Sequence, residues 1–211
     1  MLLEQLINGL TLGSIYAIFA LGYTLIFGVL DIVNMAHGEI FMFGAFTGVI
    51  MVSQFHAPLW IAFIVAIIVT AILGYLLEKL ALNPLRGKAG ASHLSPLIST
   101  IGVSILLENA AHLFFGAGNQ PFRTSISNIR IHLGAVSVDL VQIIIFAVSV
   151  LLMIVLSLWL SKTKAGKALR ATAENLETAS LLGVNTKKMI MYTVMIASAL
   201  GGIAGVLVGM A

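Results

Sequence analysis

Long apolar runs, interrupted by only a few short polar stretches, set the pattern of this chain. Apolar blocks lie at about 5–30, 40–55, 59–80, 94–116, 139–160 and 189–211, each but one of the length that carries an α-helix across a bilayer, about 20 residues. Lipid offers backbone N–H and C=O groups no partner, so such blocks are read as helices whose hydrogen bonds are all internal. The block at 40–55 is short for a full crossing. It is expected to join the polar stretch before it as a bent or re-entrant element. The predicted fold is therefore all-α: a polytopic transmembrane bundle of about six spans, forming one domain over 1–211.

Composition supports this reading. Hydrophobic residues make up 60% of the chain and charged residues 9%, against about 25% charged in soluble domains. Mean hydropathy is +1.09. There is no cysteine, which excludes a disulfide framework and a thiolate metal site. The first apolar block lacks the basic leader and small-residue cleavage site of a signal peptide. The chain stops at Ala211 inside an apolar block with no basic or aromatic anchor, and the expectation is a longer chain with further helices.

The basic residues orient the bundle. Lys79, Arg86 and Lys88 flank the connection at 81–93, and Lys162, Lys164, Lys167, Arg170, Lys187 and Lys188 flank that at 161–188. Only Arg123 and Arg130 lie in the connection at 117–138. Nine of the eleven basic residues thus share one side, which the positive-inside rule makes cytoplasmic. The N-terminus then lies outside. The outer connection opens with turn chemistry at Gly116–Pro121, and the alternation from Asn128 to Val138 reads as a small hairpin over the outer face.

Polar residues within or beside the apolar blocks are costly, and by default mark a path or a paired site. Asp31, Asn34, His37 and Glu39 cluster in DIVNMAHGE after the first span. On a helix Asp31, Asn34 and His37 share roughly one face, with Glu39 turned away and Gly38 permitting a break. The cluster is a polar lining of a translocation path, a hinge in a discontinuous helix, or a hydrated group at the cytoplasmic interface. Glu108 lies mid-block with His112 four residues on, so it serves either in an intrahelical pair or in transport. His37-Gly38-Glu39 is no HExxH motif, and neither a Ser/His/Asp arrangement nor a GxxxxGK[ST] phosphate loop is present. Glycines four apart, at Gly9/Gly13, Gly44/Gly48 and Gly201/Gly205/Gly209, predict close helix packing.

The stretch 161–188 is the most polar of the chain. Ala165, Ala168, Leu169, Thr172 and Ala173 alternate with Lys167, Arg170, Glu174 and Glu177. Leu176, Ala179, Ser180 and Leu182 continue the stripe, and Gly183 closes it. This predicts an amphipathic helix at the membrane surface, suited to slot into a groove on a soluble partner.

Gly166-Lys167-Ala168-Leu169-Arg170-Ala171 and Ala179-Ser180-Leu181-Leu182-Gly183-Val184-Asn185 resemble the cytoplasmic loop of a known family, the permeases of ATP-binding-cassette importers for branched-chain amino acids. The segments Gly22–Gly28 and Asn34–Glu39 resemble its N-terminal signature, and Asn83-Pro84-Leu85-Arg86 and Ser99–Ser104 its middle. The resemblance implies a bacterial inner-membrane subunit without catalysis or a cofactor of its own. Its expected partners are a second permease subunit, two cytoplasmic ATPase subunits that bind ATP, and a periplasmic substrate-binding protein. The coupling loop is then carried by Gly166, Lys167, Arg170, Ala173, Glu174, Ala179, Leu182 and Gly183, and the path by Asp31, Asn34, His37, Glu39 and Glu108. Relatives that move urea or short amides share much of the pattern. An ion-coupled secondary transporter is the remaining alternative, although no internal repeat supports it.

Overall fold

A computed structural model describes residues 2–85, 94–116, 118, 122, 130–133 and 136–211. Arg86, Lys88, Arg123 and most of the expected turn at Gly116–Pro121 lie outside the described residues. Six apolar helices dominate: α1 (Leu2–Leu30), α2 (His37–Ser53), α3 (Leu59–Leu77), α4 (Ser95–Phe115), α5 (Leu140–Lys162) and, after two short polar helices, α8 (Thr186–Met210). Five are long and apolar enough to cross a bilayer, and α2, at 17 residues, is shorter.

Local chemistry sets the helix ends. Pro58 stands extended immediately before α3, and Pro96 occupies the first turn of α4, where a missing N–H costs no hydrogen bond. At the start of α5 the Asp139 carboxylate accepts from the backbone N–H of Gln142, whose side chain accepts from the N–H of Asp139 at 3.3 Å. That cap also closes an antiparallel hairpin of β1 (Arg130–Leu133) and β2 (Val136–Asp139), in which Arg130 pairs with Asp139 and Leu133 with Val136. The helix α3 continues through a single π-turn at Glu78–Leu82 and a 3₁₀ turn at Asn83–Leu85.

Contacts between distant segments show that successive helices run in alternate directions. The Gln142 side chain donates to Asn8, placing the starts of α1 and α5 together. Phe122 lies beside both Gly48 and Gly209, so the ends of α2 and α8 meet there as well. The opposite end collects every described basic residue except Arg130 of the outer connection: Lys79, Lys162, Lys164, Lys167, Arg170, Lys187 and Lys188.

α8 is the centre of the bundle and packs on α1, α2 and α3. Its upper part joins Ile15, Ile18, Ala66, Ile145, Val206 and Leu207 in one apolar core, and its start joins Ile26, Ile40, Leu77, Leu169 and Ile190 in a second, nearer the basic end. Backbones touch where glycines leave no side chain. A methyl group at Gly44 would lie 2.6 Å from the Gly202 carbonyl oxygen, and one at Gly205 would run into the Phe41 carbonyl. Close approach of this kind replaces the hydrophobic driving force that lipid does not supply between helices. By contrast Ile64, Ile68, Ile72 and Leu76 form an exposed apolar stripe along α3, and α4 buries only Pro96, Thr100 and Ala111.

Candidate translocation path and coupling element

The first span does not run on into the second. Residues 31–36 leave the helical conformation, Asp31 takes a positive φ of 51°, and α2 starts at His37. The expected single helical face through Asp31, Asn34 and His37 is therefore absent. The break comes before Gly38, which sits inside the first turn of α2, so Gly38 is not what permits it. Non-helical backbone among membrane helices must find its hydrogen bonds inside the protein. Here the Asn34 side-chain oxygen accepts from the Ala36 N–H at 3.1 Å, and the Met35 N–H donates to Thr100 Oγ1 on α4 at 3.3 Å.

This segment carries two polar side chains into the bundle. Asn34 is 2% exposed and His37 1%. The His37 ring lies between Gly22 of α1 and Gly201 of α8. A methyl group at either glycine would come within 3.3 Å of the ring. Phe19 packs on it at 4.9 Å between ring centres and Tyr23 at 5.9 Å. Among the described residues neither imidazole nitrogen makes a hydrogen bond of good geometry, the Phe19 carbonyl being the backbone group that faces the ring, and the Asn34 amide nitrogen is unpaired there as well. Leaving a buried polar atom unpaired costs about 1–3 kcal/mol.

The other expected path residues divide. Glu39 is half-buried and accepts from Ser104 Oγ of α4 at 3.0 Å. Asp31 is exposed at the basic end of α1. Glu108 lies one turn beyond Ser104 on the exposed side of α4, and the expected pair with His112 does not form: both side chains are exposed, with no bond between them. The structure thus buries Asn34 and His37 in the bundle, ties Glu39 separately to Ser104 of α4, and leaves Asp31 and Glu108 exposed. Sequence reasoning missed Thr100 and Ser104, which sit four residues apart on α4 and hold the broken segment and α2 respectively. It also missed Gly22 and Gly201 as walls of the histidine slot.

At the basic end, α5 turns sharply into α6 (Lys164–Glu174). The Thr163 hydroxyl accepts from the Gly166 N–H at 3.0 Å. Gly166 lies flat on the end of α5, where a methyl group would fall 2.5 Å from the Trp159 carbonyl oxygen. Gly166, Leu169 and Thr172 face inward, while Lys167, Arg170, Ala173 and Glu174 are exposed. The expected continuous helix is divided. Asn175 is extended, ends α6, and caps α7 (Leu176–Leu181) by accepting from the Thr178 N–H at 2.8 Å. Ala179 is buried, whereas Leu181 is 81% exposed and Leu182 78%. Gly183, with φ 85°, closes the element, and Asn185 caps α8 through the Lys188 N–H at 3.1 Å.

A membrane bundle with a broken, polar-lined element at its centre and an exposed amphipathic strap at its basic end is the form of a transport permease. Residues 5–211 match the family described as branched-chain amino acid transport system, permease component. The chain is 39% identical over 220 residues to the high-affinity branched-chain amino acid transport permease BraD of Pseudomonas aeruginosa, covering 99% of this chain and 71% of that one. It is 36% identical to LivH of Salmonella typhimurium and 34% to LivH of Escherichia coli, each over 98% of this chain and 70% of the relative. No solved structure matches it. The chain belongs to the branched-chain amino acid transport permease family. It is a component of a membrane transport system and not an enzyme.

Proposed function

We propose that this chain is the membrane-spanning subunit of an ATP-driven importer for leucine, isoleucine and valine in the bacterial inner membrane. It works with a second permease subunit, a pair of cytoplasmic ATPases that bind the ATP, and a periplasmic binding protein that delivers the amino acid. One observation carries the reading: α6 and α7 project Lys167, Arg170, Leu181 and Leu182 from the basic end while Gly166, Leu169 and Ala179 fix them to the helix ends beneath. An element that is firmly seated on one side and both charged and apolar on the other can transmit force from a docked partner. Asn34, His37 and Glu39, with Ser104, supply polar groups along the path, and the positive-inside rule faces the strap to the cytoplasm. Relatives named for branched-chain amino acids favour that cargo over urea or short amides.

The test is uptake into vesicles holding the permease with its copurifying partners, with labelled leucine and urea offered in parallel. Leucine uptake that needs both ATP and a soluble binding protein is the expected result. Urea uptake keeps the machine and changes the cargo, whereas uptake driven by an ion gradient without ATP sinks the proposal.

A further inference from the structure

A cavity of about 260 Å³ opens at the basic end between the foot of α3 and the start of α8. It is lined by Tyr75, Glu78, Lys79, Asn83, Lys187, Lys188 and Met191. Three lysines and a single carboxylate thus line one recess, and that carboxylate, Glu78, is itself buried and engaged. The placement of the lysines is costly in two ways. Lys187 and Lys188 occupy the first turn of α8, which carries no acidic residue, at the end of a helix where the backbone dipole disfavours cations. Lys79 sits in the π-turn and reaches back over the Tyr75 ring at 5.5 Å. Helix dipole and side chains together make the recess a concentrated positive site, and an anion satisfies both.

The surroundings identify the carrier of that anion. Ile72, Leu76 and Leu80 follow at four-residue intervals on the neighbouring face of α3, and all three are exposed, Leu80 at 70%. An apolar stripe therefore runs from the membrane up to the mouth of a basic recess, with a tyrosine between them. This combination fits a molecule with an anionic phosphate head and apolar tails. We propose that the recess binds the phosphate headgroup of an anionic phospholipid of the inner leaflet, with Lys79, Lys187 and Lys188 holding the phosphate, Asn83 donating from its amide, and the acyl chains lying along Ile72 and Leu76. The lipid thereby ties the foot of α3 to the start of α8, directly below the polypeptide that leaves α7.

The full complex, stripped of lipid in detergent, is exposed to equal amounts of phosphatidylglycerol and phosphatidylcholine, and retained lipid is counted by native mass spectrometry. The wild type is expected to hold phosphatidylglycerol in preference by about fivefold for each lysine engaged. K79Q/K187Q/K188Q loses the preference, K79R/K187R/K188R keeps it, and K162Q/K164Q, which removes two charges of the same membrane face outside the recess, keeps it too. Equal retention of the two lipids, or a preference that survives the triple glutamine variant, overturns the proposal. Displacement of phosphatidylglycerol by inorganic phosphate alone shows a soluble-anion site and overturns the lipid assignment. A triple glutamine variant that retains the lipid but loses its ATPase subunits shows a contact for an acidic protein surface instead, and overturns it as well.

Discussion

His37 and Gly166 are single residues whose surroundings make opposite demands. His37 is held by aromatic rings and two glycines, and among the described residues its ring nitrogens meet no polar group but the Phe19 carbonyl, at poor geometry. Replacing an unpaired buried polar group by an apolar one of similar size is close to neutral for stability, or stabilising. His37→Leu is therefore expected to leave yield and thermal stability in detergent unchanged while leucine uptake falls by about tenfold or more, the change that about 1.4 kcal/mol produces. A parallel loss of stability and uptake would make the residue structural. Gly166 is the reverse case, because its surroundings leave no room. Gly166→Val forces a side chain into the Trp159 and Leu160 carbonyls, at a cost of about 1–3 kcal/mol. The bundle is expected to insert normally while substrate-stimulated ATP hydrolysis collapses, read in reconstituted vesicles beside an uptake assay.

Arg170 and Asn175 act through elements. Arg170 is exposed on α6 and makes no hydrogen bond or ion pair among the described residues, so Arg170→Glu mainly changes what the strap presents. ATP hydrolysis in that variant is expected to continue without uptake, and normal uptake would remove α6 from the docking surface. Asn175 ends one helix and caps the next; loss of such a cap costs about 1 kcal/mol, so Asn175→Ala should loosen α7 and weaken coupling partially, with Asn175→Asp restoring it. The elements themselves differed in how plainly the sequence announced them. The apolar blocks matched the helices to within a few residues, because a bilayer allows few other forms for them. The sequence suggested a bend or break here but put it at Gly38 and not at 31–36: Asp31 holds a positive φ without being glycine, and Asn34 and Ala36 satisfy the backbone through a contact that no periodicity encodes. The division at Asn175 had a local signal, since asparagine favours the cap position, but the continuing alanine and leucine stripe outweighed it. The link from Glu39 to Ser104 spans 65 positions of sequence and was legible only in three dimensions.

At the scale of the whole molecule, helices are joined in two different ways. α2, α3 and α8 meet backbone to backbone, with Gly44 on Gly202, Gly205 on Phe41 and Gly74 on the Val194 carbonyl. α4 is attached to α2 and the broken segment by the Ser104–Glu39 and Thr100–Met35 hydrogen bonds, and by Phe115 stacked on Phe46 at 4.4 Å. Since the chain has no native cysteine, paired cysteines can test which joints move. A disulfide in Gly48→Cys/Val206→Cys, inside the close-packed group, is expected to leave uptake intact. One in Phe46→Cys/Phe115→Cys should arrest it until reduced. Equal behaviour of the two pairs would mean that α4 does not move against the rest.

The central position of α8 also fixes an order of assembly. α1, α2 and α3 reach the membrane first, yet the surfaces they bury are completed by a helix that begins only at Thr186. Until it arrives, His37 lacks one wall of its slot, and Thr70 and Gly44 lack their neighbour Gly202. The earlier helices must wait in the bilayer as a half-built bundle, exposing polar groups that quality control can recognise. A chain halted at residue 185 is expected to insert and then be degraded, and coexpression of the missing helix as a separate peptide should protect it.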